Sequence, residues 1–337
     1  MANSPRRSNS ENTPPTPSYP KSKVRGGIQG SSRRRRARSA GSPHHPRYAV
    51  GHAKQKATKQ QSLLINPSSN DAASPDASPA VSMSASTLPR YLPRPSFRQV
   101  TKVTIASVAP ELADTELGYI RQGLQCLGPR MLQVLAGVKA EPSSNVLPLE
   151  LDVVVNDLSS DMPTHMLAVY SRHVPAAAKR RVTLFPIHNI ILAAHCANLP
   201  ILPPSNVTRP DVAGSTISLP IVPLCIPAPD VFPHLSMFLY TKRIDHLLTS
   251  LLPCPVPHAL YRDDPKSEAV LALLQQFSDE LATSHSAETL LTHAMLVNGL
   301  WRNVCALGIN DTKLWCALDV AWEVLMNALA VSTGKRL

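Results

Sequence analysis

The sequence predicts an α+β fold in which a core of short strands and helices carries a C-terminal helical extension, with a long disordered tail in front. Three observations support this prediction. Short β-branched runs such as Leu149 to Val155 are typical of buried strands. Residues 258–337 repeat apolar side chains at the three- and four-residue spacing of amphipathic helices. Residues 1–98 are rich in Ser, Pro and Arg and carry few large apolar side chains.

We therefore divide the 337 residues into three parts: a disordered basic Pro/Ser-rich tail (1–98), an α+β domain that begins with helices (99–257) and a C-terminal helical subdomain (258–337). Residues 1–100 hold 17 Lys/Arg against three acidic residues, a net charge of +14, which leaves −3 of the total of +11 for residues 101–337. The basic character thus belongs to the tail. A segment with so little apolar surface cannot offset an ordering entropy of roughly 1 to 2 kcal/mol per residue, so we expect disorder.

A compact basic run is the sharpest local signal in the tail. It consists of Arg33, Arg34, Arg35, Arg36 and Arg38. Such a run fits the acidic groove of a nuclear import receptor, and it can also contact nucleic-acid phosphates weakly and without sequence preference. A solvated charge run without any reader is the third interpretation. We expect the protein in the nucleus.

The tail also contains six Ser/Thr-Pro steps, the dipeptide that proline-directed kinases favour in exposed chain. The candidate phosphorylation sites are Ser4, Thr13, Thr16, Ser42, Ser74 and Ser78. A phosphate at Ser42 would place nearly two negative charges close to the arginine run and weaken its contacts. Pro- and Ser-rich disorder also generates such pairs by chance.

The α+β domain opens with a weak strand pattern and then turns helical. Val100 to Ile105 alternates loosely enough for a short strand. From Pro110 apolar residues recur at helical spacing, and Gly128-Pro129 is expected to end this helix, so that Met131 to Val138 forms a second, shorter one. We expect this helix pair to cap the core, with a dimerisation role as the alternative.

Two pairs of apolar segments follow. Leu149 to Val155 is expected to pair with Met166 to Tyr170 as strands. Val182 to Phe185 is expected to be a strand that Pro186 turns into a helix starting near His188. After a polar loop over residues 200–216, short extended pieces up to Ile226 are expected to precede a helix from Val231 to Tyr240.

The last two segments resemble the core of BTB/POZ domains. The residues that carry the first half of the resemblance are His188, Leu192, Ala193, Ala194 and Cys196, with Cys196 where a serine is usual. Those that carry the second half are Phe232, Leu235, Phe238, Tyr240 and Thr241, followed by Lys242 where a glycine is usual. The resemblance implies that these residues, with Phe185, build a scaffold, and that His188 is a hydrogen-bonded scaffold histidine.

The whole pattern, a basic Pro/Ser tail followed by this degenerate BTB/POZ-like core, resembles the clampless-type proteins of mushroom-forming fungi. That family is associated with sexual development downstream of homeodomain mating-type factors. The resemblance implies a nuclear protein that regulates clamp-cell and dikaryon formation through protein contacts, with transcription factors as favoured partners and a homodimer possible. The alternatives are a substrate adaptor of a cullin-type ubiquitin ligase and a salt-sensitive, non-specific DNA binder that uses the tail.

The C-terminal subdomain is expected to contain three helices. Apolar stripes run through Ala269 to Leu281 and through Leu290 to Val304, and Asp311 is a plausible N-cap for the last helix. The three tryptophans of the chain, Trp301, Trp315 and Trp322, are expected to be core anchors.

The sequence indicates neither an enzyme nor a membrane protein. It has no nucleophile elbow, phosphate-binding glycine loop or zinc-protease motif. His188 and His195 share a helix but lack further ligands, so we expect no metal and no cofactor. The apolar stretch 217–240 contains five prolines, which would leave backbone groups unpaired in lipid. Without a secretory leader or a Cys-x-x-Cys pair, the six cysteines are expected to be reduced.

Overall fold

A computed structural model describes residues 62–64, 87–140, 147–172, 181–263 and 267–334. The predictions about tail disorder fall almost wholly outside these residues. The basic run and the six candidate phosphorylation sites lie outside them as well.

The described chain starts with a strand pair and a segment that we call the strap, residues 88–98. Strand β1 (Ser62–Leu64) pairs antiparallel with β2 (Thr87–Pro89). The sequence assigned the strap to the disordered tail, whereas Leu88 and Leu92 are only 4% and 7% exposed and belong to the main hydrophobic core. The predicted boundary at residue 98 is therefore about ten residues too late, because two leucines anchor a segment whose average composition is polar.

The first two helices correct two predictions. Residues Lys102–Ala106 form helix α1 instead of a strand, since the Thr101 hydroxyl caps its N terminus by accepting from the Thr104 N–H (3.2 Å). A 3-10 turn at Pro110–Leu112 leads to α2 (Leu117–Ala136), which continues through Pro129.

Tertiary packing explains why α2 is not broken at Gly128-Pro129. Pro129 removes one hydrogen bond from the helix, but the face that carries Ile120, Leu124 and Met131 is buried on both sides of it. Gly128 is also buried, and a Cβ added there would lie 2.0 Å from the Tyr240 carbonyl oxygen. The glycine is thus required for close helix packing and does not mark a helix end.

Five further strands form one sheet in the order β3-β4-β7-β5-β6. Their bounds are β3 Val138–Ala140, β4 Glu150–Val155, β5 His165–Tyr170, β6 Val182–Ile187 and β7 Ser215–Cys225. The predicted pairing of β4 with β5 is wrong, because β7 lies between them. The first half of β7 pairs antiparallel with β4 and its second half pairs parallel with β5.

Strand β5 is buried on both faces and separates two layers of the core. Met166 and Ala168 pack with β4 and the first half of β7, whereas Leu167 and Val169 face the helices. Long-range pairing of this kind depends on the whole chain, which is why local patterns identified the strands but not their order.

The helices around the centre of the domain agree with the prediction. Helix α3 spans Asn189–His195, and a 3-10 turn at Pro229–Val231 leads into α4 (Phe232–Thr241). Helix α5 (Ile244–Leu251) follows. Within α3, Ile191 to His195 are all buried, so this short helix lies inside the core.

The C-terminal helices also agree with the prediction. After a short helix α6 (Ala259–Arg262) come α7 (Glu268–Ser284), α8 (Ala287–Leu307) and α9 (Thr312–Ser332). The Asp311 carboxylate caps α9 by accepting from the N–H groups of Lys313 (3.0 Å) and Leu314 (3.1 Å). Within the described chain α9 alone is long and apolar enough to span a membrane, but 72% of its apolar window is buried inside the protein, as in a core helix.

One hydrophobic core joins the two predicted domains. It contains residues of α2, α3 and α4 together with residues of α7, α8 and α9. The apolar packing therefore crosses the predicted boundary at 257/258 without a break. The fold is α+β, as predicted.

Two glycines of α2 provide a matched test of this packing. Gly128→Ala is expected to lower the free energy of unfolding by at least about 1 to 3 kcal/mol, because the new Cβ would overlap the backbone of α4. Gly123→Ala, with open space around its Cβ, is expected to raise it by about 0.5 to 1 kcal/mol through helix propensity. Urea unfolding followed by circular dichroism measures both, and equal effects would contradict the close approach.

Candidate functional site

The residues of the BTB/POZ-like pattern come together in the structure. Nine of them are buried: His188, Leu192, Ala193, Ala194, Cys196, Phe232, Leu235, Phe238 and Tyr240. Phe185 and Thr241 are partly exposed. The pattern therefore describes the interior around α3 and α4 and is not itself a contact surface.

His188 and Tyr240 form a buried hydrogen-bonded pair at the start of α3. The Tyr240 hydroxyl oxygen accepts from the His188 backbone N–H (2.9 Å) and lies 3.0 Å from His188 Nδ1. His188 Nε2 lies 3.0 Å from the Asp161 carbonyl oxygen. Since a carbonyl only accepts, Nε2 carries the proton, and the tyrosine O–H donates to Nδ1. Every polar atom of the pair then has a partner.

Burial keeps this pair uncharged. It lowers the pKa of His188 and raises the pKa of Tyr240 above its ordinary value. Both ring nitrogens of His188 are engaged, so neither has a free lone pair for a metal. The role expected for His188, a hydrogen-bonded scaffold residue, agrees with this geometry.

The two partly exposed residues of the pattern lie in β6 and in the last turn of α4. The ring of Phe185 lies 5.2 Å from that of Phe232 at a tilt of 56° and joins β6 to α4. The Thr241 hydroxyl donates to the Met237 carbonyl oxygen (2.8 Å) in the last turn of α4.

Lys242 ends α4 in a conformation that usually requires glycine. Its φ is 53°, in the left-handed region, and its N–H donates to the Phe238 carbonyl oxygen (2.8 Å). Its ammonium donates to Asp311 Oδ2 (2.9 Å) and lies 5.2 Å from the centre of the Phe238 ring. These contacts compensate the backbone strain that a non-glycine residue pays there.

Lys242 belongs to a buried polar cluster that the sequence patterns did not reveal. Its Nζ lies 3.3 Å from His195 Nδ1, and Arg121 Nε donates to the Ala194 carbonyl oxygen (2.8 Å). Arg121, His195, Lys242 and Asp311 come from four separate elements, so no local spacing could have grouped them. His195 Nε2 is buried and has no hydrogen-bond partner among the described residues.

The protonation states in this cluster follow from burial and charge. Burial, and then the charges of Lys242 and Arg121, lower the pKa of His195 to about 3. Burial raises the pKa of Cys196 to about 12. Burial also opposes ionisation of Asp311, but the charge and hydrogen bond of Lys242, together with the Leu314 N–H, outweigh it and hold the pKa below its usual value. The cluster thus contains a Lys–Asp ion pair, a neutral imidazole and an inert thiol, which is the chemistry of a scaffold.

The C-terminal helices are attached to the segments that follow α3 and β7 by a backbone bridge and by hydrogen bonds of two asparagine side chains. Cys196 forms an antiparallel bridge with Ile309, and Asn198 Nδ2 donates to the Ala306 carbonyl oxygen (3.2 Å). The buried Asn303 amide accepts from the Ala228 N–H (2.9 Å) and donates to the Ala228 carbonyl oxygen (2.6 Å).

The most exposed apolar side chains of the described chain lie outside the pattern. Apolar side chains more than 60% exposed are Tyr91, Val103, Tyr119, Leu149, Ile201 and Val212. An open hollow of about 290 Å³ lies beside Asp161 and Arg209, close to the lower limit for small-molecule sites. Among the described residues no group of three His, Cys, Asp or Glu side chains is placed to hold a metal ion.

Removing the Tyr240 hydroxyl tests the buried pair. Tyr240→Phe is expected to lower the free energy of unfolding by about 1 to 3 kcal/mol, because the buried His188 N–H and Nδ1 lose their partner. Tyr119→Phe, at a side chain that is 72% exposed, is the control and should change stability by less than about 0.5 kcal/mol. A similar, small effect of both substitutions in urea unfolding would argue against the pair.

The pH dependence of stability tests the polar cluster. Because the pKa of His195 is about 3 in the folded state and about 6.5 in the unfolded chain, the unfolded chain binds one more proton between these values. This contribution is fully present above about pH 6.5 and is lost as the pH falls towards about 3, by about 1.4 kcal/mol per pH unit.

His195→Gln is therefore expected to flatten the decline in unfolding free energy between about pH 6 and about pH 5. The decline in unfolding free energy that persists in this variant is assigned to other buried groups such as His188 and His165, whose pKa values burial also lowers. Exposed His246→Gln is the control. An unchanged slope for the His195 variant would show that this imidazole accepts a proton in the folded protein.

Two family models of known proteins match the chain in succession. Residues 95–227 match the family model of the Clampless protein 1 N-terminal domain, and residues 245–337 match that of the Clampless protein 1 C-terminal domain. No solved structure gives a significant match, so the BTB/POZ resemblance of the core stays a prediction.

Two curated relatives, both called Clampless protein 1, come from two strains of Cryptococcus neoformans var. neoformans serotype D. Each is 29% identical over 117 residues, which are 34% of this chain and 21% of the relative. The match thus spans about a fifth of the length of these relatives. With the N-terminal and C-terminal domain models matched in succession on one polypeptide, the chain belongs to the clampless protein 1 family.

Proposed function

We propose that this protein is a non-enzymatic nuclear regulator of sexual development that promotes clamp-cell and dikaryon formation through contacts with other proteins. The observation that carries the proposal is the presence of both family domains, in order, over residues 95–227 and 245–337. The curated relatives carry the name Clampless protein 1, and the match to each of them covers 117 residues of this chain.

Contacts with other proteins fit the chemistry of the described core. His188 is held neutral with both nitrogens bonded, and burial raises the pKa of the Cys196 thiol to about 12. Neither group has the exposure or protonation state of a catalytic base or nucleophile. The exposed apolar side chains are instead available to macromolecular partners.

The nuclear part of the proposal rests on the basic run at residues 33–38. Its five arginines stand out from a chain whose residues 101–337 carry a net charge of −3. An import receptor reads such a run as an exposed peptide. The acidic balance of the remaining chain argues against broad contact with DNA outside the tail.

Transcription factors are the favoured partners because the family association is with a developmental switch controlled by homeodomain factors. A cullin adaptor would use the outer face of α5, where Arg243, His246 and Thr249 are exposed. The two partner classes are distinguished by what co-purifies with the chain from mating cells. Recovery of cullin components without transcription factors would redirect the proposal to a ligase adaptor.

Deletion of the gene from both strains of a compatible pair is expected to abolish clamp cells, and the wild-type chain should restore them. A chain with Arg33, Arg34, Arg35, Arg36 and Arg38 replaced by Ala should fail to accumulate in the nucleus and restore few or none. The control replaces Lys54, Lys56 and Lys59, which are dispersed basic residues of the same tail. Normal clamp cells in the deletion pair would refute the developmental role, and full rescue by the arginine variant would refute the import role.

A further inference from the structure

The strap contains a short internal repeat. Residues 88–95 read Leu-Pro-Arg-Tyr-Leu-Pro-Arg-Pro, with two Leu-Pro-Arg units four residues apart. Proline fixes its own φ and restricts the residue before it, so the segment is preset to be extended. Its three prolines have no N–H to donate, which leaves the carbonyl oxygens as the main backbone groups for recognition.

Three tryptophans of the C-terminal helices receive this segment, and we call Trp301, Trp315 and Trp322 the tryptophan face. Trp301 Nε1 donates to the Pro93 carbonyl oxygen (2.9 Å). Trp322 Nε1 lies 3.2 Å from the carbonyl oxygens of both Pro89 and Arg90. The indole N–H groups thus bind the strap backbone at both Leu-Pro units.

Trp315 contributes its ring, since its own N–H donates to the Ile309 carbonyl oxygen (3.1 Å). Its ring centre lies 5.3 Å from the ring of Phe97 and 5.3 Å from the Arg94 guanidinium carbon. Arg94 also pairs with Asp319, one turn further along α9. Cation–π contact and a carboxylate together select an arginine at this position.

The strap is held as a bound peptide would be. Leu88 and Leu92 are buried in the core while Tyr91 between them is 71% exposed, so one side of the segment faces the protein. The described backbone hydrogen bonds include none from an N–H of residues 90–98 to the helices. Proline-rich ligands are generally recognised in this way, through carbonyl oxygens, alternating apolar side chains and an aromatic-lined surface.

The surface and the strap carbonyls that it binds differ in their coverage by the family models. The tryptophan face lies within the matched C-terminal domain, whereas residues 88–94 precede the start of the N-terminal match at residue 95. Residues 95–98, including Phe97, lie inside that match, so the indole N–H groups bind a part of the strap that neither family model covers.

We propose that the tryptophan face is a docking site for an extended proline-rich segment of a partner protein, with the pattern Leu-Pro-Arg-x-Leu-Pro-Arg-Pro, and that the strap is its intramolecular competitor. The occupant is inferred from the strap, which shows the chemistry that the surface accepts. The inference rests on the proposal that the protein works through protein contacts, but it concerns a separate surface. A tethered competitor acts at an effective concentration of roughly millimolar, so an external segment binds weakly until the strap is loosened.

A fluorescent peptide of residues 86–98 tests the site on the purified full-length chain by anisotropy. The wild-type chain is expected to bind weakly, and a chain with Leu88→Ala and Leu92→Ala is expected to bind at least about tenfold more tightly, because its own strap competes less. Adding Trp322→Phe to that chain should remove most of the gain. Two controls accompany this test. Tyr91→Ala in the chain is expected to leave the affinity for the peptide unchanged. A peptide with both leucines replaced by alanine is expected to bind poorly to every chain.

Arg94→Ala is the second strap variant, since it removes an exposed contact without opening the core, and a smaller gain in peptide affinity is expected. Failure of both strap variants to bind the peptide while circular dichroism shows them folded would overturn the proposal. The proposal would also be overturned if the chain formed a dimer in sedimentation, the dimer required the strap, and the peptide did not bind. That result would assign the surface to a second copy of the chain. Either negative result would leave the developmental role standing, because that role is tested in cells.

Discussion

The last turn of α4 fixes the arrangement of the whole described chain. The Tyr240 carbonyl is met by Gly128 of α2, and the Tyr240 hydroxyl holds the His188 backbone at the start of α3. Two residues later, Lys242 adopts a left-handed conformation and reaches Asp311, the N-cap of α9. Three elements that are distant in sequence are thus oriented by two residues, Tyr240 and Lys242. Close packing at α2 is possible only because residue 128 has no side chain, which makes the approach of two backbones the steric constraint on which the other contacts depend.

Two kinds of buried polar contact act at this centre, and they differ in what they contribute. The His188–Tyr240 pair is neutral and fully hydrogen-bonded, so its burial carries little penalty and its geometry sets the start of α3. The Lys242–Asp311 pair is charged, and desolvation cancels much of its attraction. The pair instead fixes the position of α9 against α4. An unpaired ammonium or carboxylate buried at this depth would cost free energy, so placements of α9 that separate Lys242 from Asp311 are disfavoured.

Local signals in the sequence predicted those parts of the fold that local physics determines. The stripes of α7 to α9, the Asp311 cap and the start of α3 near His188 were all predicted from residues close in sequence. The turn predicted at Pro186 is wrong, because Pro186 pairs with Met166 and β6 continues to Ile187. Prediction failed where distant residues decide. Pro129 stays helical because Gly128 packs on α4, β7 enters between β4 and β5, and two leucines order a strap of polar average composition. The polar cluster was missed for the same reason, since Arg121, His195, Lys242 and Asp311 meet only in the folded chain.

Most residues of the BTB/POZ-like pattern are interior residues, so the pattern concerns the packing of the core. Phe232, Phe238 and Tyr240 are at most 1% exposed, so they specify how the core is built and offer nothing for a partner to contact. Surfaces for other proteins would then lie outside this pattern. The tryptophan face does so, although Trp315 and Trp322 are themselves buried in the core. The indole N–H groups of Trp301 and Trp322 bind the strap, in which Leu88 and Leu92 are the fully buried side chains. A scaffold that binds its own proline-rich strap through carbonyl oxygens already has the donors and the apolar surface that a similar segment of another protein requires.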